Sequence, residues 1–181
     1  QKLIKRYAIQ YDRVFNIHET GTGKTGSIIN LAQYYKKSNK IKRVYVLEPG
    51  PPTVDDFTSQ IRKFESRKEI DTEETSARIN REIKEFYEVT TYQKFLKDDL
   101  SDEDIEKYYS DCIFFFDEAH KLRNLSDTNG GKLTDTQIKK IYDYLWRLTH
   151  IIKRSKVIVA SATPMINSVK DFVPLINLRV C

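Results

Sequence analysis

The sequence predicts an α/β fold in which a mostly parallel sheet is covered by helices on both faces. Short apolar runs alternate with longer segments whose apolar residues recur at helical spacing, a pattern typical of strand–helix–strand units. The most apolar run, Cys112–Phe116, shows no polar alternation. A strand of this kind is buried on both faces, as at the centre of a parallel sheet. A glycine-containing loop joins the first apolar run to the helical pattern that follows it.

Length and composition predict one globular α/β domain with a real core. The chain has 181 residues, of which 39% are hydrophobic and 31% charged. No apolar run approaches the ~20 residues of a membrane span, so no membrane partner is expected. The N-terminus lacks the apolar segment of a signal peptide, which predicts an intracellular protein. Cys112 and Cys181 have no metal-ligand spacing, and Cys112 is expected to be a buried thiol.

The element order follows from periodicity and from turn residues. Strands are predicted at residues 14–17, 44–47, 86–91, 112–116 and 157–160. Helices are predicted at 1–10, from the glycine loop to 38–39, at 55–64, from 92 through an acidic segment to 109, at 134–152, and after Ser168. Tyr7 is expected on the apolar stripe of the first helix, and Thr134 with Asp135 is expected to cap the helix at 134–152. Residues 65–85 are interpreted as a helical excursion on the surface, and 123–133 as a loop. Because the chain stops just after an apolar helix, we expect it to be part of a larger protein.

A net charge of +5 is compatible with a polyanion partner without requiring one. Two basic clusters stand directly before predicted strands: Lys36, Lys37, Lys40, Lys42 and Arg43, and then Lys153, Arg154 and Lys156. Both should therefore lie at the edge of the sheet opposite the glycine loop. The simplest interpretation is a solvated charged face, which argues against these clusters as the main track for a nucleic acid.

The glycine loop reads His-Glu-Thr-Gly-Thr-Gly-Lys-Thr over residues 18–25. A strand, a glycine loop and a helix in this order are the context of a phosphate-binding loop, in which backbone amides and the helix N-terminus favour an anion. Lys24 supplies a point charge for the outer phosphates, and Thr25 offers a hydroxyl to Mg²⁺. His18 stands where the strict pattern has glycine. The alternative is a glycine-rich turn that caps an ordinary helix. The predicted nucleotide-binding residues are Thr20, Gly21, Thr22, Gly23, Lys24 and Thr25.

Two further groups of polar residues follow apolar strands, so they should share one edge of the sheet with the glycine loop. Asp117 and Glu118 come directly after the run 112–116. Asp117 can hold Mg²⁺, and Glu118 can orient and deprotonate an attacking water. The alternative is a helix start that is rich in acidic residues. Ser161 and Thr163 follow the next strand and can hydrogen-bond the loop 117–120.

In order along the chain, residues 18–25, 117–120 and 161–163 resemble motifs I, II and III of superfamily two helicases and translocases in the DEAH-box form. Residues 46–49 stand where that superfamily carries motif Ia, and residues 89–92 where Swi/Snf-type ATPases carry a motif Ib-like segment. Gln1 lies at a suitable distance upstream for the adenine-reading glutamine. The stretches HETGTGKT and SATPMINS look most like ATPases of large cytoplasmic DNA viruses, including the poxvirus-type early transcription factor subunit and nucleoside triphosphate phosphohydrolases.

The resemblance implies that residues 1–181 form the first of two RecA-like lobes, a P-loop NTPase lobe that binds ATP and Mg²⁺. It implies catalytic roles for Lys24, Asp117 and Glu118, with Thr25 and Asp117 at the metal. His120, Ser161 and Thr163 would couple hydrolysis to movement on nucleic acid. The candidates for contacting nucleic acid are Pro49, Gly50, Thr91 and Tyr92, although a tyrosine in the position of Tyr92 is more often a core aromatic residue.

The resemblance also implies partners and a location. It favours DNA as the nucleic acid, names a viral RNA polymerase as a candidate partner, and places a viral protein in the virion and the host cytoplasm. The second lobe would carry an arginine finger, so the isolated lobe is expected to hydrolyse ATP weakly or not at all. Two other functions remain open: a P-loop ATPase that acts on protein partners, and a degenerate lobe kept as an interaction module. The joint presence of Lys24, Asp117 and Glu118 disfavours the degenerate lobe.

Overall fold

In the computed structural model, which describes residues 2–17, 23–66, 73–97, 100–124 and 133–162, five strands form one parallel sheet. The side chains of residues 2–5, 73–75 and 123–124 are not described. The strands are β1 (Arg13–Ile17), β2 (Arg43–Glu48), β3 (Tyr87–Thr91), β4 (Cys112–Phe116) and β5 (Lys156–Ser161). Their order across the sheet is β1-β5-β4-β2-β3, and every neighbouring pair is parallel. The predicted α/β class is confirmed.

Helices connect the strands. They are α1 (Lys2–Gln10), α2 (Lys24–Ser38), α3 (Pro51–Ser66), α4 (Glu73–Phe86), α5 (Tyr92–Phe95), α6 (Asp102–Tyr109) and α7 (Asp135–Ile151), with a 3₁₀ helix at Ala119–Asn124. No helix among the described residues combines the length and apolarity that crossing a bilayer requires.

The sheet separates two apolar layers, because successive side chains of a strand point to opposite faces. Ile113 and Phe115 of β4 pack with residues of α1, α2, α3 and α4 on one face. Phe114 and Phe116 pack with residues of α5, α6 and α7 on the other face. The β4 side chains are fully buried, as the continuous apolarity of this strand predicts. Cys112 is a buried free thiol, as expected, and burial raises its pKa to about 11.

Four details of the predicted elements need correction. The acidic segment does not continue one helix from residue 92 to 109, because Ser101 caps a separate helix, α6, by accepting a hydrogen bond from the backbone N–H of Asp104. Helix α3 begins at Pro51, four residues earlier than predicted, since proline is well suited to a first helical turn. Tyr7, expected on the apolar stripe of α1, is half exposed.

The fourth correction concerns the segment 65–85, which was expected on the surface. Ile79 and Ile83 of α4 are buried in the core beneath it, so this helix covers part of one sheet face. Residues 67–72 lie outside the described part of the chain, as do residues 125–132 of the predicted loop and the helix predicted after Ser168. The predicted cap of α7 is confirmed, and Thr134 forms a complete capping box with Gln137.

Candidate nucleotide site

Three of the sequence motifs meet at one end of the sheet. Gly23 and Lys24 follow β1, Asp117 follows β4, and Ser161 ends β5. Strands β1, β5 and β4 are neighbours, and all of them point the same way. The carboxyl ends of parallel strands form the usual ligand crevice of an open α/β sheet, so this end is the candidate site.

The start of α2 positions Lys24. Gly23 caps the helix with φ of 82°, a left-handed conformation that glycine adopts without steric cost. Lys24 is the first helical residue and is only 9% exposed. Its Nζ lies 2.6 Å from Glu118 Oε1 and 3.4 Å from Asp117 Oδ1. Burial opposes the charge of this ammonium, but the hydrogen bond from Lys24 to Glu118 and the charges of both carboxylates outweigh burial, and the pKa of Lys24 is raised.

The turn after β4 presents the two carboxylates to this lysine. The Asp117 N–H donates to the Leu47 carbonyl oxygen at 3.0 Å, which extends the β4–β2 pairing by one residue. Glu118 has φ of 46°, and its N–H donates to Asp117 Oδ1 at 2.9 Å. A glutamate in the left-handed region is uncommon, and such strained residues cluster at functional sites.

The pKa values of Asp117 and Glu118 are shifted in opposite directions. Burial raises the pKa of Asp117, because the charge of Lys24 offsets desolvation only in part and the charge of Glu118 adds to it. Burial also disfavours the charged form of Glu118, but the hydrogen bond and charge of Lys24 outweigh it and lower the pKa of this carboxyl. The lowered pKa keeps Glu118 ionised at neutral pH, which a general base requires.

His120 and the end of β5 hold the second oxygen of Glu118. His120 Nδ1 lies 3.3 Å from Glu118 Oε2 and 3.0 Å from Ser161 Oγ. The Ala162 N–H donates to the same Oε2 at 3.5 Å. Burial lowers the pKa of His120, so the neutral ring is favoured. The structure thus confirms the predicted hydrogen bond between Ser161 and the loop 117–120, and it joins His120 to Glu118 as well.

The residues present fit a magnesium ion. Mg²⁺ is usually held by one or two carboxylates together with water and substrate phosphate oxygens, not by a cage made of protein alone. Asp117 offers a carboxylate at the crevice and Thr25 lies half-buried in the first turn of α2. Within the described ranges no three His, Cys, Asp or Glu side chains form a complete metal cluster. A donor set of one carboxylate and one hydroxyl therefore matches a metal that is completed by a nucleotide.

The candidates for nucleic-acid contact divide into two groups. Tyr92 is fully buried, and its hydroxyl donates to the Asp117 carbonyl oxygen at 2.9 Å. This position agrees with the interpretation of Tyr92 as a core aromatic residue, and the buried side chain is not accessible to a nucleic acid. Thr91 caps α5 by accepting a hydrogen bond from the Lys94 N–H at 3.3 Å. Pro49 and Gly50 are partly exposed after β2, at the same end of the sheet as the site.

Sequence reasoning did not single out Glu48 as a site residue. It ends β2, is 1% exposed, and stands on the strand next to β4. Burial and the nearby charge of Asp117 raise its pKa to about 8. An acidic residue directly after the apolar run 44–47 is the same signal that identified Asp117, and applying it to every strand would have found Glu48.

Several predicted site residues lie outside the described part of the chain: Gln1, Thr20, Gly21, Thr22 and Thr163. Lys24, Thr25, Asp117, Glu118, His120 and Ser161 are described, and all of them lie at the same end of the sheet. The contacts above join Lys24, both carboxylates, His120 and Ser161 into one network.

The chain is similar in sequence to a protein family and to viral proteins over most of its length. The protein-family model "Type III restriction enzyme, res subunit" matches residues 1–166. The protein "Putative helicase 087L" of Invertebrate iridescent virus 3 is 27% identical over 199 residues, covering 98% of this chain and 20% of the relative. "Putative helicase 009L" of Frog virus 3 (isolate Goorha) is 21% identical over 192 residues, covering 98% of this chain and 19% of the relative. The chain thus spans about a fifth of the length of these relatives.

Solved structures share the fold at low sequence identity. The SWI2/SNF2 ATPase core of Sulfolobus solfataricus, solved in complex with dsDNA, matches with a TM-score of 0.62 and 18% identity, covering 98% of this chain and 33% of that one. The Hef helicase domain of Pyrococcus furiosus matches with a TM-score of 0.59 and 17% identity, covering 98% and 35%. The chain therefore has the RecA-like fold of these helicase and ATPase structures and belongs to the family of the type III restriction enzyme res subunit.

Proposed function

We propose that the chain is the ATP-binding motor lobe of a nucleic-acid-dependent ATPase, which hydrolyses ATP to ADP and phosphate with Mg²⁺. The observation that carries this proposal is the contact of the Lys24 ammonium with both carboxylates that follow β4. A buried lysine at a helix N-terminus, facing an acidic pair, provides a phosphate-binding group and a general base within one hydrogen-bonded network.

Each residue of the network has a chemical role in this proposal. Lys24 exchanges its contact with Glu118 for the outer phosphates of the nucleotide, and the amides of the loop 20–25 hold those phosphates. Glu118, once released, orients and deprotonates the attacking water. Asp117 and Thr25 would hold the magnesium ion, which neutralises charge that develops on the phosphates. Gln1 would read the adenine.

The contact of His120 with Ser161 links Glu118 to the end of β5. His120 touches both Glu118 and the end of β5, so a shift of the segment that begins at Ser161 changes the position of the base. In the proposed mechanism this network, with Thr163, couples hydrolysis to movement on nucleic acid at the partly exposed loop formed by Pro49 and Gly50. A second RecA-like lobe of the same protein would close over the nucleotide and supply an arginine.

The similarity of the fold to a SWI2/SNF2 core solved with dsDNA supports DNA as the nucleic acid, and the viral relatives support a viral helicase, translocase or transcription-factor motor. By extension we place the protein inside cells, in the virion and host cytoplasm if it is viral, with a viral RNA polymerase as a candidate partner.

The test is ATP hydrolysis by the full-length parent protein with Mg²⁺, measured with single-stranded DNA, with duplex DNA, with RNA and without nucleic acid. Lys24→Ala and Glu118→Gln should abolish the stimulated rate, while Lys139→Ala and Glu103→Gln, which change exposed residues of the same types, should retain it. Hydrolysis that is equal with and without nucleic acid would instead support an ATPase acting on protein partners. ATP binding without any hydrolysis would support a degenerate interaction module.

A further inference from the structure

Glu48 is a buried acid that the proposed mechanism does not use. It ends β2 and is only 1% exposed. Glutamate is almost never fully buried unless it is paired, yet among the described residues the nearby ammonium, that of Lys24, forms its ion pairs with Asp117 and Glu118 instead. Burial of an acid without an ion pair costs stability, and such departures are expected at functional sites. Glu48 is therefore a candidate for a role in the nucleotide site.

The strand register places Glu48 beside Asp117. Val46 and Phe115 both belong to the apolar layer that contains residues of α1–α4. Glu48 and Asp117 each follow two residues later along the chain, so both side chains point to this same face. The hydrogen bond from the Asp117 N–H to the Leu47 carbonyl oxygen keeps the two strands paired at this level, where neighbouring strands are about 5 Å apart. The two carboxyl groups thus lie side by side on the face against which α2 packs.

Three carboxyl groups therefore share one nearby ammonium. The charges of Asp117 and Glu118 both disfavour the ionised form of Glu48, and the charge of Lys24 favours it. Burial acts in the same direction as the two acids and is the largest cause of the raised pKa of Glu48. The acidic charge at this point exceeds the cationic charge, so a further cation is favoured there and a further anion is not.

A nucleotide brings additional negative charge into this setting. A free nucleotide gains the contact with Lys24, but its phosphates are repelled by the neighbouring acids. A nucleotide bound to Mg²⁺ carries with it a cation that favours carboxylate oxygens. Asp117 is the carboxylate proposed to hold this cation, and Glu48 stands beside Asp117 on the neighbouring strand. Side chains around a metal ligand change metal affinity even when they do not touch the metal.

We propose that Glu48 is a specificity-determining residue of the nucleotide site, which makes the site select a nucleotide bound to a divalent cation over the free nucleotide. The inference rests on the proposed function and adds to it a residue of β2. The alternative is that Glu48 only anchors α3, since the Thr53 side chain in the first turn of that helix hydrogen-bonds the carboxyl. Glutamine accepts the same hydrogen bond but carries no charge, so Glu48→Gln separates the two roles.

The experiment measures ADP binding to the full-length parent protein by isothermal titration, in EDTA and over a range of Mg²⁺ concentrations. ADP is used so that hydrolysis does not contribute. For Glu48→Gln, we expect the Mg²⁺ concentration that gives half of the gain in ADP affinity to rise by about tenfold. In EDTA the variant should bind ADP at least as tightly as the wild type, because the charge that is lost repels phosphate. A merely structural defect would weaken ADP binding under both conditions.

Further variants test whether the charge is responsible. Glu48→Asp keeps the charge and should recover most of the wild-type dependence on Mg²⁺. Glu48→Met removes the charge with an apolar side chain of similar length and should behave as Glu48→Gln does. The matched control is Glu88→Gln, which removes a partly exposed carboxylate from the neighbouring strand β3, three residues before the level of Glu48, and should behave as the wild type does. Circular dichroism of each variant verifies that the fold is retained.

Several results would overturn the inference. These are an equal dependence on Mg²⁺ in the wild type and in Glu48→Gln, an equal loss of ADP affinity in EDTA and in Mg²⁺, and a loss of folding in both neutral variants. Each of them leaves the proposed function standing if the wild type binds ADP and nucleic acid stimulates its hydrolysis of ATP. A wild-type protein that binds no ADP even with Mg²⁺ would instead contradict the proposed function together with the inference.

Discussion

Lys24 and Glu118 show how one residue pair sets the resting state of the site. Both oxygens of Glu118 are engaged, Oε1 by Lys24 and Oε2 by His120 and the Ala162 N–H. The general base and the phosphate-binding group thus neutralise each other before a nucleotide arrives. A phosphate must compete with a charge-assisted hydrogen bond in order to engage Lys24, and such bonds are stronger than those between neutral groups.

We therefore predict that Glu118→Gln raises the affinity for ADP, by up to about tenfold, while it abolishes hydrolysis. The substitution replaces the charged partner of Lys24 with a neutral amide of similar shape, so less interaction is lost when the ammonium turns to phosphate. Isothermal titration with ADP measures this effect without hydrolysis. Lys24→Ala should bind more weakly than the wild type, and an unchanged or lower affinity of Glu118→Gln would contradict the competition.

At the scale of single elements, the contribution of the α7 capping box to stability can be measured. The Thr134 hydroxyl accepts a hydrogen bond from the Gln137 N–H, and the Gln137 side chain accepts one from the Thr134 N–H. Thr134→Ala should destabilise the chain by about 1 kcal/mol, which corresponds to a fall in melting temperature of about 2–4 °C. Thr136→Ala, two residues into the same helix, is the control and should change the melting temperature little. Equal effects of both substitutions would show that the cap contributes nothing specific.

Asp111 connects three elements, since it precedes β4 and pairs with Lys42 before β2 and with Arg154 before β5. The hydrogen bond from Arg154, followed by that from Lys42, lowers the pKa of Asp111 below its ordinary value of 3.8. A lowered carboxyl pKa adds stability above the unfolded pKa, and this contribution is lost as the pH falls through the folded pKa. Asp111→Asn should therefore lower the melting temperature at pH 7.

The difference in melting temperature between Asp111→Asn and the wild type should begin to shrink as the pH falls below about 4 and should disappear as the pH falls through the lowered folded pKa, where the wild-type carboxyl becomes protonated. Asparagine also tolerates the left-handed backbone at this position, where φ is 61°, so the substitution tests the charge and not the turn. Thermal unfolding from pH 3 to pH 7 measures the effect, with Asp143→Asn, an exposed acid on α7, as the control. If the difference in melting temperature between Asp111→Asn and the wild type is constant from pH 3 to pH 7, the charge of Asp111 does not have the assigned role.

For the molecule as a whole, sequence reasoning recovered what depends on strong local patterns. The continuous apolar run of β4, the glycine before α2 and the acids after β4 each have one dominant physical interpretation, and their order along the chain predicted that they would meet at one end of the sheet. What it missed depends on contacts between distant residues. The hydrogen bond from Tyr92 to the Asp117 carbonyl and the joining of Lys42 to Arg154 through Asp111 have no local signal. The burial of Ile79 and Ile83 has only a weak one, their helical spacing with Phe86 in an otherwise polar segment.

The same sheet separates two apolar layers, and whether they unfold together is a property of the whole molecule. Phe115 is fully buried in the layer with α1–α4, whereas Trp146 lies on α7 in the opposite layer. Phe115→Ala should cost about 3–5 kcal/mol through the lost burial and the cavity left behind. If β4 makes the two layers one cooperative unit, the midpoint temperatures of unfolding followed by Trp146 fluorescence and by circular dichroism should fall by the same amount. Phe115→Leu should shift both transitions less. A fluorescence transition that stays at the wild-type temperature while the dichroism transition falls would show that the layers unfold separately.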